Sequence, residues 1–181
     1  MQNLEEKQLK RTKIYDGVIL KVVKDSVALP NGSEAFREMC IHPGAVAIIA
    51  VCRDGKILME RQFRYPHGRV FFEIPAGKLD SPDEDPLAAA MRELREETGA
   101  LAGKMTCLGT IATTPAMINE RITLYLAEDL SFGESELDED EFLEVEKWEL
   151  SDLKKMVMSG EIEDAKTQIA ILKLCVLREA Q

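Results

Sequence analysis

The chain has 181 residues, 45% hydrophobic and 31% charged, the composition of a globular domain with at most a short arm, which excludes whole-chain disorder and fibrous repeats. Thirty-three acids against 23 bases leave a net charge of −10, a poor match to a nucleic acid or an anionic membrane, both of which need clustered Lys and Arg. The longest apolar run, residues 45–52, is far short of the ~20 residues that cross a bilayer, and no charged start followed by an apolar stretch marks a secretory leader.

Residues 1–10 are polar and expected to fray. Over 12–41, the alternation of Val18, Leu20 and Val22 and of Val27 and Leu29 predicts strands, with Pro30-Asn31-Gly32-Ser33 as a turn and 36–41 returning. The run 45–52 suits a strand buried on both faces. Asp54-Gly55 predicts a hairpin with 57–63 as the partner strand. A short strand follows at 70–74, ended by Pro75-Ala76-Gly77.

A helix is expected next, capped by Asp85, with Pro86 at its first position and Gly99 just past its end. Ser81-Pro82-Asp83-Glu84 offers an earlier start. Strands are predicted at 105–113, 122–127 and 142–149, and helices at 152–159 and 165–179, opened by Ser151 and Asp164. Strands interleaved with helices predict an α/β (or α+β) fold, a mixed sheet sandwiched by helices. The acidic stretch 134–141 reads as a solvated loop. Cys40, Cys52, Cys107 and Cys175 are scattered, which predicts reduced thiols and a cytoplasmic protein. Neither His42 nor His67 is spaced with a cysteine for zinc.

The helix near 86–98 carries the informative chemistry. Leu87, Met91, Leu94 and Thr98, with Ala90 at the edge, predict its core stripe. Glu93 and Glu97 stand one turn apart on another side, with Glu96 adjacent and Arg92 able to pair with it. Like charges at that spacing repel by a few tenths of a kcal/mol. Acids in the last turn oppose the helix dipole by about 0.3–1 kcal/mol each. A divalent cation reverses both signs, because hard cations take carboxylate oxygens. The residues alone leave a solvated charged face and a cation site as alternatives.

Residues 77–100, GKLDSPDEDPLAAAMRELREETGA, resemble the Nudix box, G-x5-E-x7-R-E-U-x-E-E-x-G-U with U aliphatic. Glu84, Arg92, Glu93, Leu94, Glu96, Glu97 and Gly99 match, and Ala100 is a weak final U. Six residues rather than five separate Gly77 from Glu84, a departure confined to the loop before the helix. Gln62-Phe63-Arg64, residues 73–77 and residues 164–167 resemble the ADP-ribose pyrophosphatase branch. Pro115 stands sixteen residues after Gly99, as in that branch, although Ala116 and Met117 depart from its pattern.

The resemblance implies a Nudix-type α/β/α sandwich with a mixed sheet, over residues 44–181, and an antiparallel arm over 1–43 that is either exchanged in a homodimer or folded back on its own domain. It implies hydrolysis of the diphosphate bond of ADP-ribose or a related nucleoside-diphosphate sugar, to a nucleoside monophosphate and a sugar phosphate. The cofactor is Mg²⁺, with Mn²⁺ as an alternative and two or more ions per site. Glu93 and Glu97 are implied as metal ligands, with Glu96 and the Ala76 carbonyl beside them. Arg92 then orients Glu96 or Glu97, and Glu84 is a weaker ligand candidate. Glu120 is the candidate general base and Glu96 the alternative. Arg64 is assigned to the diphosphate. Glu73 is left to a ribose hydroxyl, a metal-bound water or a brace for Arg64. Phe63 and Phe72 read as core. Competing functions are hydrolysis of GDP-mannose, a dinucleoside polyphosphate or an oxidised nucleoside triphosphate, and a non-catalytic ADP-ribose sensor.

Overall fold

The computed structural model of the chain describes residues 3–137 and 141–180. Two compact units are present: one takes the described residues up to Pro43 with Ala112–Glu120, the other Gly44–Ile111 with the residues from Arg121 onward.

The first unit is an antiparallel sheet of β1 (Lys7–Asp16), β2 (Lys21–Ala28) and β3 (Glu34–Ile41) in that order. Fraying was expected through residue 10, yet β1 begins at Lys7, paired with Ala28. Backbone ladder bonds hold this segment, and its side chains are exposed throughout, so no alternation marks it in the sequence. Along β2, Val23, Asp25 and Val27 are buried in turn. Asp25 is kept there by two bonds from Arg11 on β1, at 2.9 and 2.7 Å, a forked geometry that satisfies both carboxylate oxygens.

The second unit is a layered α/β/α sandwich. Its sheet of four runs β7 (Ala76–Lys78), β4 (Ala45–Ala50), β9 (Arg121–Phe132), β8 (Ala100–Ala112). It is mixed: β4 is parallel to β9 and antiparallel to β7. A second sheet has the order β10 (Leu143–Trp148), β5 (Ile57–Arg64), β6 (Arg69–Glu73), with both pairings antiparallel. The continuous apolar run of β4 is explained by two covered faces. Val46, Ile48 and Ala50 pack with Ala89, Ala90 and Leu94 of α1 (Pro86–Thr98). Ala47 and Ile49 pack with residues of α2 (Leu150–Ser159) and α3 (Ala165–Glu179). Burying each such Ile or Val contributes about 1.5–3 kcal/mol.

The hairpin expectation is corrected. Residues 57–63 do form a strand, but β4 and β5 share only the single bridge Val51–Ile57 and then enter different sheets. Both edges of β4 are already taken by β7 and β9, so the Asp54-Gly55 turn redirects the chain instead of closing a hairpin. The strand expected over 70–74 does end before Pro75, as β6 (Arg69–Glu73), and Ala76 then begins the further short strand β7.

The helix α1 starts at Pro86, with Asp85 accepting a bond from the Leu87 amide at 3.2 Å, and not at the earlier alternative. Its buried face is turned from the expected stripe: Ala89, Ala90, Leu94 and Glu97 are buried, whereas Leu87 and Met91 are 38% and 47% exposed. Two small alanines let the helix lie close on β4 and β7, which draws the acidic side toward the sheet. Helix α3 is capped as expected by Asp164, which accepts from the Thr167 amide at 2.9 Å. For α2 the cap position is Glu149 rather than Ser151. Phe72 packs against the core, edge-on to Trp148 with ring centroids 5.3 Å apart, but Phe63 is exposed. The four cysteines are free thiols. Among the described residues no helix is long and apolar enough to cross a membrane.

Gly99 closes α1 with φ +69°, and a Cβ there would stand 2.6 Å from the Gly133 carbonyl oxygen. A side chain in that left-handed conformation costs about 1–2 kcal/mol before the crowding is added. Gly99→Ala is expected to lower the calorimetric Tm by at least about 2 °C; an unchanged Tm would contradict this account.

Candidate active site

The acids of α1 face the start of β7. Glu97 is 4% exposed, and its Oε2 accepts the Ala76 N–H at 3.0 Å. That amide is available because β7 is a short edge strand: Ala76 pairs with Ala47 on one side only. Next to it, Gly77 makes room for Glu93. A Cβ on Gly77 would lie 1.9 Å from the Glu93 carboxyl carbon, so any side chain there displaces that carboxylate. The box glycine is thus a matter of space, since its φ lies outside the left-handed region.

Arg92 gathers the outer acids. It donates to Glu93 at 2.8 Å, to Glu96 at 3.0 Å and to Glu84 at 3.4 Å. Of the two acids it was expected to orient, it bonds Glu96 and is not bonded to Glu97 among the described residues. Glu84 also accepts the Asp80 N–H at 2.6 Å, so its carboxylate ties the loop before α1 to the helix. The extra residue in that loop leaves this tie intact.

A second group of charges stands on the β5–β6 pair. Glu73 is 3% exposed and accepts two bonds from Arg64, at 2.8 and 2.9 Å, and one from Lys166. Of the roles left open for Glu73, the brace for Arg64 is the one visible in these bonds. Burial pushes its pKa up, but the Arg64 and Lys166 bonds outweigh this and hold it below the ordinary carboxylate range. Arg64, Glu73, Asp164 and Lys166, with His67 and Phe71, line a cleft of about 300 Å³. Another cleft, about 630 Å³, is apolar and lies between β8 and α3, away from the acids.

Two acids remain without such cations. Glu60, paired across the strands with Glu73, is 3% exposed, and its Oε1 has no hydrogen-bond partner among the described residues. Burial first, then the charges of Glu141 and Glu73, push its pKa up to about 8. Glu97 is raised further, by burial first and then by Glu60, Glu93 and Glu141. Burial likewise raises Glu93. These oxygen donors fit a hard divalent cation such as Mg²⁺ or Mn²⁺. Among the described residues no group of three or more His, Cys, Asp or Glu forms a ready cage. Mg²⁺ does not demand one, since it keeps waters and uses one or two carboxylates with substrate phosphates.

Glu120 belongs to the first unit. It accepts from Thr113 Oγ1 at 2.5 Å and lies 3.5 Å from His42 Nε2. The neighbouring Asn119 accepts the His42 N–H at 2.7 Å. Glu60 and Glu141 were missed by sequence reasoning. The signal for Glu60 was an acid interrupting the apolar start of a strand, Ile57-Leu58-Met59. Glu141 lay in the stretch read as a solvated loop, and it is half-buried and acts on Glu60, Glu93 and Glu97. Residues 138–140 of that stretch lie outside the described residues.

Residues 41–167 match the sequence pattern of the NUDIX domain. The chain is 47% identical over 182 residues to an ADP-ribose pyrophosphatase of Bacillus subtilis, covering 99% of this chain and 97% of that one. It is 43% identical over 169 residues to a methanol dehydrogenase activator of Bacillus methanolicus, covering 92% and 91%. The fold matches a crystal structure of an ADP compounds hydrolase with a TM-score of 0.86 at 21% identity, over 100% of this chain and 98% of that chain.

Two outcomes follow from this geometry. Gly77→Ala is expected to fold, because only the end of a flexible side chain must yield, while the Mg²⁺ concentration for half-maximal activity rises about tenfold or more; a metal titration of both proteins checks this. In metal-free protein, Glu60 and Glu97 keep protons that the unfolded chain releases above about 4.5. Their contribution is therefore fully present below that pH; the part from Glu60 is lost as pH rises through about 8 and the part from Glu97 only through about 10. Glu73 works oppositely, losing its contribution only in acid. Thermal melts without metal should accordingly fall in Tm from about pH 5 to about pH 8, and saturating Mg²⁺ should blunt the fall; an equal fall with and without Mg²⁺ would contradict the assignment.

Proposed function

The chain belongs to the Nudix family, and from that premise we propose that it is a divalent-metal-dependent pyrophosphohydrolase of ADP-ribose or a related nucleoside-diphosphate sugar, releasing a nucleoside monophosphate and a sugar phosphate. The observation that carries this reading is the 47% identity, over nearly the whole of both chains, to an ADP-ribose pyrophosphatase. The box acids are intact, Glu97 and Glu93 meet the start of β7 and Glu96 shares Arg92 with Glu93, which supports it.

In this reading Glu93, Glu97, Glu96 and the Ala76 carbonyl hold the ions, Mg²⁺ or Mn²⁺. When bound, they neutralise the diphosphate and lower the pKa of water. Arg92 holds the Glu93 and Glu96 carboxylates in place by direct bonds. Arg64 binds the diphosphate. Its Nε and one terminal nitrogen are spent on Glu73, which leaves the other terminal nitrogen to donate to a phosphate oxygen. Lys166, on the same carboxylate, adds positive charge to the cleft. Glu120, with Glu96 as the alternative, takes the proton of the attacking water. The reading also has residues 1–43 as an arm exchanged in a homodimer, residues 44–181 as the hydrolase domain, and a cytoplasmic location.

The 43% identity to a methanol dehydrogenase activator favours a second reading, in which a chain of this family serves a partner protein. One experiment tests the hydrolase reading: incubation with Mg²⁺ and ADP-ribose, ADP-glucose, GDP-mannose, a diadenosine polyphosphate or an oxidised guanine triphosphate, repeated with Glu97→Gln. AMP and ribose 5-phosphate from ADP-ribose are expected, with the rate down at least a hundredfold in the variant, on the order of 3 kcal/mol of transition-state stabilisation. No turnover of any compound, with tight binding of ADP-ribose, would overturn the hydrolase reading.

A further inference from the structure

The roles assigned above leave Glu60 unused. It lies on β5 two residues beyond Leu58, so the two side chains leave the same face of the strand. Leu58 packs with Ala89, Ala90 and Leu94 of α1, so this is the face turned toward the helix that carries Glu93 and Glu97. Glu60 is as buried as Glu97 itself. The cations nearest it are already committed: both Arg64 and Lys166 bond the carboxylate of Glu73. Across the strand pairing with β10 stands Val145, whose side chain donates nothing.

A carboxylate oxygen buried without a donor is strongly unfavourable. Oε1 of Glu60 is in that position among the described residues. Its neighbours make it worse, since Glu73, Glu97 and Glu141 are all acids. An oxygen so placed, on the face of the acids already assigned to an ion, lacks only a positive partner.

We propose that Glu60 is a further acid of the cation site, its free oxygen taken up by the ion that Glu97 holds or by a water on that ion. The inference rests on the metal-dependent reading above. It also accounts for an acid placed directly after the apolar residues Ile57-Leu58-Met59.

The test is Mn²⁺ binding by the full chain without substrate, followed by the electron paramagnetic resonance signal of free Mn²⁺ and by the rise in Tm on adding Mn²⁺. The proteins are wild type, Glu60→Gln and Glu60→Val; Gln keeps the shape and removes the charge, and Val suits the strand should Gln fold poorly. The expected result is at least about a tenfold loss of Mn²⁺ affinity in both variants, a smaller Mn²⁺-induced rise in Tm, and a metal-free Tm no lower than wild type. Wild-type affinity in either folded variant would overturn the proposal, because a side chain that only fills space leaves the ion untouched. That result leaves the hydrolase reading standing. Absence of Mn²⁺ binding by the wild type would instead remove the metal-dependent reading, and this inference with it.

Discussion

The second unit is organised around one anchored acid, the buried carboxyl group of Glu97 on the Ala76 amide. A carboxylate enters a protein interior only where it is bonded and balanced. The bond comes from an edge strand that has an amide to spare. Its described charged neighbours do not balance it: Glu60, Glu93 and Glu141 add negative charge around Glu97. Several features follow from holding that oxygen in place. Helix α1 must lie close to the sheet, which Ala89 and Ala90 permit. The residue after Ala76 must be Gly77, because the Glu93 carboxyl occupies the space of a side chain. The helix must end sharply, and Gly99 turns the chain away in the left-handed conformation.

Two charge groups in the same unit are built on opposite logic. Around Glu73 the charges are matched: two carboxylates, Glu73 and Asp164, two cations, Arg64 and Lys166, both oxygens of Glu73 bonded, and its pKa held down. Such a group is rigid and complete before any ligand arrives, which suits a residue that must present Arg64 at a fixed angle. Around Glu60 and Glu97 the charges are unmatched, and the pKa values are held up. That arrangement is costly alone and favourable with a divalent cation. The contrast divides the proposed work between a preformed phosphate contact and a site completed by an ion.

Arg92 links the two levels of the helix. One guanidinium bonds Glu84, Glu93 and Glu96, so the loop before α1 and the outer acids share a partner. This accounts for the tolerance of the loop to an extra residue: Glu84 is held by Arg92 and by the Asp80 amide, and neither bond depends on the exact length between Gly77 and Glu84.

What could be read in the chain by itself was local. Asp85, Pro86 and Gly99 marked the ends of α1, because capping and left-handed turns depend on neighbours in sequence. The run 45–52 announced a strand covered on both faces, and the spacing of Arg92, Glu93, Glu96 and Glu97 announced the site and the family. What required the tertiary structure was anything decided between elements. The partner of β4 was β9 and not the next strand, because strand pairing is settled by which edges remain open. The buried face of α1 was turned from Leu87 and Met91 toward Glu97, because closeness to β7 set it. Glu60 and Glu141 acquired their meaning from carboxylates distant in sequence, since charge acts through space and leaves no periodic trace along the chain.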